Sequence, residues 1–154
     1  MSTRGHCLCR AIIYEFDGEP KWVAYCHCES CRRATSAPVT TYVGVPLDRF
    51  RYLQGKPAVY ESSPGVRRSF CPRCGSPMAY EADRYPGEIH LHICTLADPN
   101  RFAPRAHVFA GEQLTWFEIA DELRRYETLG GKGVAPLRVG PRPAPPAASP
   151  GGEA

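Results

Sequence analysis

Through the first 95 positions, apolar residues recur mostly at every second place, in short runs cut by turn residues. That period predicts strands rather than helices. In AIIYEF (11–16), Ile12, Tyr14 and Phe16 share one face. KWVAY (21–25) reads as a strand that runs straight into a cysteine-rich stretch, and CRRATSAP (31–38) has room for one short helical turn before Pro38 ends it. VTTYVGV (39–45), FRYL (50–53), AVYE (58–61), VRRSF (66–70) and PMAYEA (77–82) predict further strands. Turns such as QGKP (54–57) and SSPG (62–65) separate them. EIHLHIC (88–94) alternates strictly: Ile89, Leu91 and Ile93 face one way, His90, His92 and Cys94 the other.

The period changes near the C-terminus. In TWFEIADELRRYETL (115–129), Ile119, Leu123 and Tyr126 fall at helical spacing, with acidic residues early and arginines late, which predicts a short C-terminal helix or turn. From about Gly130 the chain becomes rich in Pro, Gly and Ala. We therefore expect a domain over 1–130 and a flexible tail over 131–154, too poor in apolar residues to offset the cost of ordering. No repeat of domain-building length is present.

A chain of 154 residues suits one domain with a core that needs no disulfides. No run approaches the length of a membrane helix. MSTRGHCLCR lacks the apolar centre of a secretory signal, so a cytoplasmic protein is expected. The formal charge of +3 is mild, and no interleaving of basic and aromatic residues marks a nucleic-acid groove. Two zinc ions held by seven thiolates would cancel that charge altogether. Phosphate loops, G-x-S-x-G and H-E-x-x-H are all absent.

The cysteines carry the chemistry. Eight of them in a chain expected to be cytoplasmic point to metal or redox roles before structural disulfides. They stand as Cys7-x-Cys9, Cys26-x-Cys28-x-x-Cys31, Cys71-x-x-Cys74 and a lone Cys94. FCPRCGSPM reads as a zinc knuckle, half of a tetrahedral site, with Gly75 free to take the positive φ the turn needs. A redox pair would belong before a helix in a βαβ unit, and none is visible. Cys7 and Cys9 would complete the knuckle to a four-cysteine site, which closes a long loop and suits a structural role. Cys26, Cys28 and Cys31 then stand alone, and three protein ligands leave the open position of a catalytic zinc. Two alternatives stay open on spacing alone: a closed second site completed by Cys94, His90 or His92, or a pairing of the three-cysteine group with the knuckle. The polar face of EIHLHIC reads more simply as one side of a half-buried strand. His27, between two ligands, should point away from an ion, where it could support the ligands from behind; it is also the one residue suggested as proton donor. His6 and His107 have no assigned role.

GHCLCR, CHCESC and FCPRCG in this order, with TLADPNRFAPRAHVF and Trp116 downstream, resemble the glutathione-dependent formaldehyde-activating enzyme family, which includes centromere protein V-like proteins. The resemblance covers roughly residues 5 to 120. It implies a mainly β architecture, the β-tent fold of small antiparallel sheets stapled by zinc. It implies a structural zinc on Cys7, Cys9, Cys71 and Cys74 and a functional zinc on Cys26, Cys28 and Cys31. It further implies a zinc-dependent carbon–sulfur lyase that adds a thiol such as glutathione to formaldehyde or a related aldehyde. A non-catalytic zinc-binding interaction module is the other reading of the same ligands. Where the family commonly has paired aspartates this chain has LADP, with Ala97 in place of one acid.

Overall fold

The computed structural model describes residues 1–144. Its strands in chain order are β1 (Ser2–His6), β2 (Ile13–Asp17), β3 (Trp22–Cys26), β4 (Thr40–Pro46), β5 (Phe50–Gln54), β6 (Ala58–Ser63), β7 (Val66–Phe70), β8 (Pro77–Ala82), β9 (Glu88–His92), β10 (Ala106–Val108), β11 (Arg124–Arg125) and β12 (Arg138–Val139). The one α-helix, α1, spans Glu29–Thr35. The molecule is mainly β, as the alternating pattern requires, and each strand expected within residues 11–94 is present.

β1, β2 and β5 form a three-stranded antiparallel sheet; the other nine strands run β12-β11-β10-β3-β4-β9-β8-β7-β6. The large sheet is antiparallel except at β10, which pairs parallel with β3 and with β11. Strand alternation sorts its central residues onto two faces. Val43 and Val45 of β4, Ile89 and Leu91 of β9 and Ala79 of β8 pack against Tyr14 and Phe16 of the small sheet and Ile12 just before it; Met78 joins them through a bulge in β8. Each such aliphatic side chain contributes about 1.5–3 kcal/mol by leaving water. The opposite face presents Tyr42, Tyr80 and His90, and it looks into a cavity. Gly44 permits this face to close up, because a Cβ there would meet the Trp22 ring at 2.2 Å.

Of the helix or turn expected over 115–129, only a turn at Thr115–Trp116 forms; no helix does. Side chains take the backbone groups that a helix would pair internally. Arg125, fully buried, donates to the carbonyls of Leu123 (2.9 Å) and Ile119 (2.6 Å); Gln113 donates to Phe117 O, and the Asp121 carboxylate accepts from Leu123 N. Residues 124–125 instead extend the large sheet. Within the segment read as a tail, Arg138–Val139 pair with Arg124–Arg125, and Arg138 donates to Gln113; residues 145–154 lie outside the described part. Among the described residues no helix is long and apolar enough to cross a membrane.

Candidate metal centre

Two turns bring the first four cysteines together. After β1 the chain doubles back through Arg10 at φ 59°, and Arg10 N donates to Cys7 O. After β7, Gly75 takes φ 75° and its N–H donates to Cys71 O at 2.9 Å. The Ser76 hydroxyl ties the two turns, accepting from Leu8 N at 3.0 Å and lying 3.2 Å from Cys74 Sγ. All four sulfurs lie within 4.8 Å of one another. A tetrahedral ion with bonds of about 2.3 Å to sulfur needs sulfurs about 3.8 Å apart. Cys7–Cys9 is 3.6 Å and Cys9–Cys71 is 3.8 Å, so the donors fit such an ion and are not disulfides. Without metal, hydrogen bonds from the Ser76 side chain and backbone bring the Cys74 thiol down to about 5. A bond from the Ala11 backbone pulls Cys9 down, but burial and the three neighbouring sulfurs outweigh it and push that thiol up to about 11.

The second group is built within six residues. Cys26 ends β3, Cys28 caps α1, and Cys31 lies one turn into the helix, its backbone N–H donating to Cys28 Sγ at 3.4 Å. The Cys26 and Cys28 sulfurs are 3.6 Å apart, and all three lie within 4.8 Å. Among the described residues no fourth cysteine, histidine or carboxylate joins them. Hydrogen bonds from Cys26 and Cys28 hold the Cys31 thiol far below its ordinary range, with help from Tyr42 and Arg68 against burial. The Tyr42 hydroxyl donates to Cys31 Sγ at 3.5 Å, and Arg68 Nη1 reaches the same sulfur at 3.8 Å. Burial pushes the Tyr42 phenol up, so it stays a donor.

This group, unlike the first, opens on a cavity of about 1000 Å³. His90 and His92 line it but stand outside the sulfur group. The His90 ring lies 5.4 Å from the stacked Tyr80 ring and edge-on to Trp22, while His92 packs on Tyr42. Burial lowers the pKa of both, His92 to about 4. Arg68, with its guanidinium 5.1 Å above Tyr80, and Arg84, bonded to the Tyr80 hydroxyl, have no carboxylate partner among the described residues. The one acid in the lining is Glu112 at the rim, which accepts from Glu29 N. Cys94 is exposed on the turn after β9 and joins neither group.

His27 points away from the sulfurs, as expected, but it cannot be the proton donor at the cavity. Its ring is fully buried and does not line the cavity, with Nε2 2.8 Å from Nδ1 of His107. His107 Nε2 in turn meets Asp121 Oδ2 at 3.0 Å, and Arg125 donates to Asp121 Oδ1. Burial, reinforced by the neighbouring His107 and Arg125, brings His27 down to about 4. No sequence signal marks the His107–Asp121 pair, 14 positions apart, because Asp121 lies in the stretch that reads as a helix. Tyr42 and Arg68 were legible only as facing residues of alternating strands.

A family model described as glutathione-dependent formaldehyde-activating enzyme matches residues 2–112. An uncharacterized lyase of Schizosaccharomyces pombe is 32% identical over 93 residues, covering 58% of this chain and 66% of the relative, just under two thirds of its length. The crystal structure of a Rhodobacter sphaeroides protein superposes with a TM-score of 0.54 at 21% identity, over 64% of this chain and 93% of that one, which speaks to the fold. Three ordered cysteine groups, the mainly β fold that gathers them into two clusters, and a match over most of the chain agree: the chain belongs to the glutathione-dependent formaldehyde-activating enzyme family.

Proposed function

We propose that the protein is a zinc-dependent carbon–sulfur lyase that joins a thiol, with glutathione the first candidate, to formaldehyde or a related aldehyde. Cys7, Cys9, Cys71 and Cys74 would hold a structural ion, and Cys26, Cys28 and Cys31 a functional one. The observation that carries this reading is the three-sulfur group with no fourth donor among the described residues, set in the wall of the cavity. The domain carrying the chemistry is the one expected over 1–130. A reducing cytoplasm would keep its thiols free.

In the reaction, R–SH loses its proton, a carbon–sulfur bond forms as the carbonyl π bond breaks, and the oxygen takes up a proton to give R–S–CH₂–OH. Zinc, when bound, supplies the positive charge that lowers a thiol's proton affinity. The chain supplies the rest. Arg68 and Arg84 place positive charge in the cavity, which suits an anionic thiol. Trp22, Tyr80 and His90 line the site with rings. Tyr42 and Arg68 hold Cys31 as the thiolate that a metal requires.

The test follows adduct formation between formaldehyde and glutathione by NMR, against the appreciable uncatalysed rate. The zinc-loaded protein should accelerate it and Cys28→Ser should not. No acceleration with glutathione or any small thiol tried, in protein shown to hold two ions, would favour the interaction-module reading.

A further inference from the structure

The family match ends at residue 112, yet the chain continues beneath the three-cysteine group. Residues 113–126 reach it through one line of side chains. A carboxylate only accepts hydrogen bonds, so the Asp121 contact puts the proton of His107 on Nε2. A neutral His107 then accepts at Nδ1, and the donor must be His27 Nε2. The two imidazoles lie nearly parallel, 5.1 Å apart, and Tyr25 stacks on the outer face of His107 at 4.7 Å. His27 and His107 are both fully buried. Arg125, fully buried too, fixes Asp121 from below.

His27 is the residue between Cys26 and Cys28, and its backbone is held as firmly as its ring. Its N–H donates to Val108 O at 3.1 Å, and its carbonyl accepts from Arg32 Nε at 2.9 Å. Three independent handles therefore set the dihedral angles that aim the two flanking sulfurs. A four-ligand site drawn from distant segments defines its own geometry by closure. Three ligands within six residues leave one bond unmade, so the protein must supply the rigidity that the missing ligand does not.

We propose that His107 and Asp121 are positioning residues for the three-cysteine centre: acting through His107 and His27, the segment beyond the family match pre-sets that centre for its ion. This rests on the reading that the centre binds a metal. It requires that loss of the line weaken one centre and spare the other, which a general loss of stability would not do.

The experiment uses the full chain and cobalt(II) as the probe, with thiolate-to-cobalt absorption read separately for the two sites by filling the tighter one with zinc first. His107→Phe keeps the shape and stacking of the ring but cannot accept from His27. We expect the cobalt affinity of the three-cysteine centre to fall at least about tenfold, the lower end for outer-shell partners. Affinity at the four-cysteine centre should stay within about twofold. His107→Gln, whose amide oxygen can accept from His27 and whose N–H can donate to Asp121, should restore most of the loss. Equal weakening of both centres, no weakening of either, or no rescue by His107→Gln would overturn the proposal. Should His107→Phe fail to fold, Asp121→Ala, at the half-exposed end of the line, carries the same expectation with a smaller loss, and an unchanged three-cysteine affinity there overturns it. Wild type that binds cobalt at only one site would instead defeat the metal reading itself.

Discussion

The two cysteine groups solve the same problem in opposite ways. One gathers four sulfurs from turns more than sixty residues apart. It needs little besides Ser76 and two tight turns to hold them, because the ion would close its own polyhedron. The other draws three sulfurs from six consecutive positions and surrounds them with side chains from distant strands. Tyr42, Arg68, His107 and Asp121 come from β4, β7, β10 and the irregular segment before β11. Connectivity in the first group is long and support is sparse; in the second it is short and support is dense. A closed site can serve as a staple, since binding free energy becomes folding free energy. An open site contributes little to folding, and its surroundings are spent on geometry and charge.

The sharpest way to break this contrast is to remove one sulfur from each group. Cys74→Ser takes away the long-range clamp between the small sheet's first turn and the knuckle after β7. It should lower the melting temperature by more than about 10 °C or abolish folding, in keeping with the usual consequence of losing a structural metal. Cys28→Ser leaves that clamp intact, so its effect on thermal stability should be a few degrees at most. Elemental analysis should give between one and two zinc per wild-type chain and at most one in Cys28→Ser. Equal thermal losses in the two variants would erase the distinction between staple and open site.

Those seven cysteines were also what the sequence disclosed best. Their spacing favours a division into four and three, with two other partitions left open until the structure gathers the sulfurs, and strict alternation in EIHLHIC places Ile89 and Leu91 in the core. The alternation fails where local pattern and tertiary packing compete. In 115–129 helical spacing of Ile119, Leu123 and Tyr126 is real, but one buried guanidinium, Arg125, offers its carbonyl partners a different pairing. A single arginine cannot announce its burial from its neighbours. His107 was illegible for a related reason: a histidine's role is set by what faces it, and Asp121 faces it only because the helix does not form. The β12 pairing of Arg138–Val139 lay within a composition that predicts no structure, and two residues of ladder are too few to leave a periodic trace.

Acid sharpens the comparison at intermediate cost. His27 and His92 both belong to the three-cysteine half, and each is held at about 4 against an ordinary 6.5, chiefly by burial. A histidine depressed in the folded state is neutral there while the unfolded chain binds the proton. The contribution is whole above pH 6.5 and is lost as pH falls toward 4. Each group costs at most about 1.4 kcal/mol per pH unit within that window. In metal-stripped protein, amide exchange should therefore accelerate first around Cys26–Thr35 and β9 as pH drops from 6.5 to 4.5. The small sheet, β1, β2 and β5, should hold longer. Simultaneous loosening of both halves would mean that the supporting side chains of the second centre form no separable unit.

The smallest effect concerns charge at the cavity wall. Arg68 is half-buried, with its guanidinium over the Tyr80 ring, one of its nitrogens toward Cys31 and its Nε on Ser62. Arg68→Met keeps a side chain of similar length beside the ring and removes the charge, the donors and the cation–π contact with Tyr80. If the cavity is built for an anionic thiol, the variant should bind glutathione about three- to tenfold more weakly, the range expected for one charged hydrogen bond that is partly screened. Binding of neutral 2-mercaptoethanol should change less than twofold, because it asks nothing of the arginine. The thiol titrations use the cobalt-loaded centre, and the melting temperature should stay within about two degrees. An equal loss for both thiols would show that Arg68 acts on Cys31 rather than on the ligand. The density of side chains around the open centre would then serve its sulfurs alone, as Ser76 serves the closed one, and the two groups would differ in how they are supported but not in what that support is for.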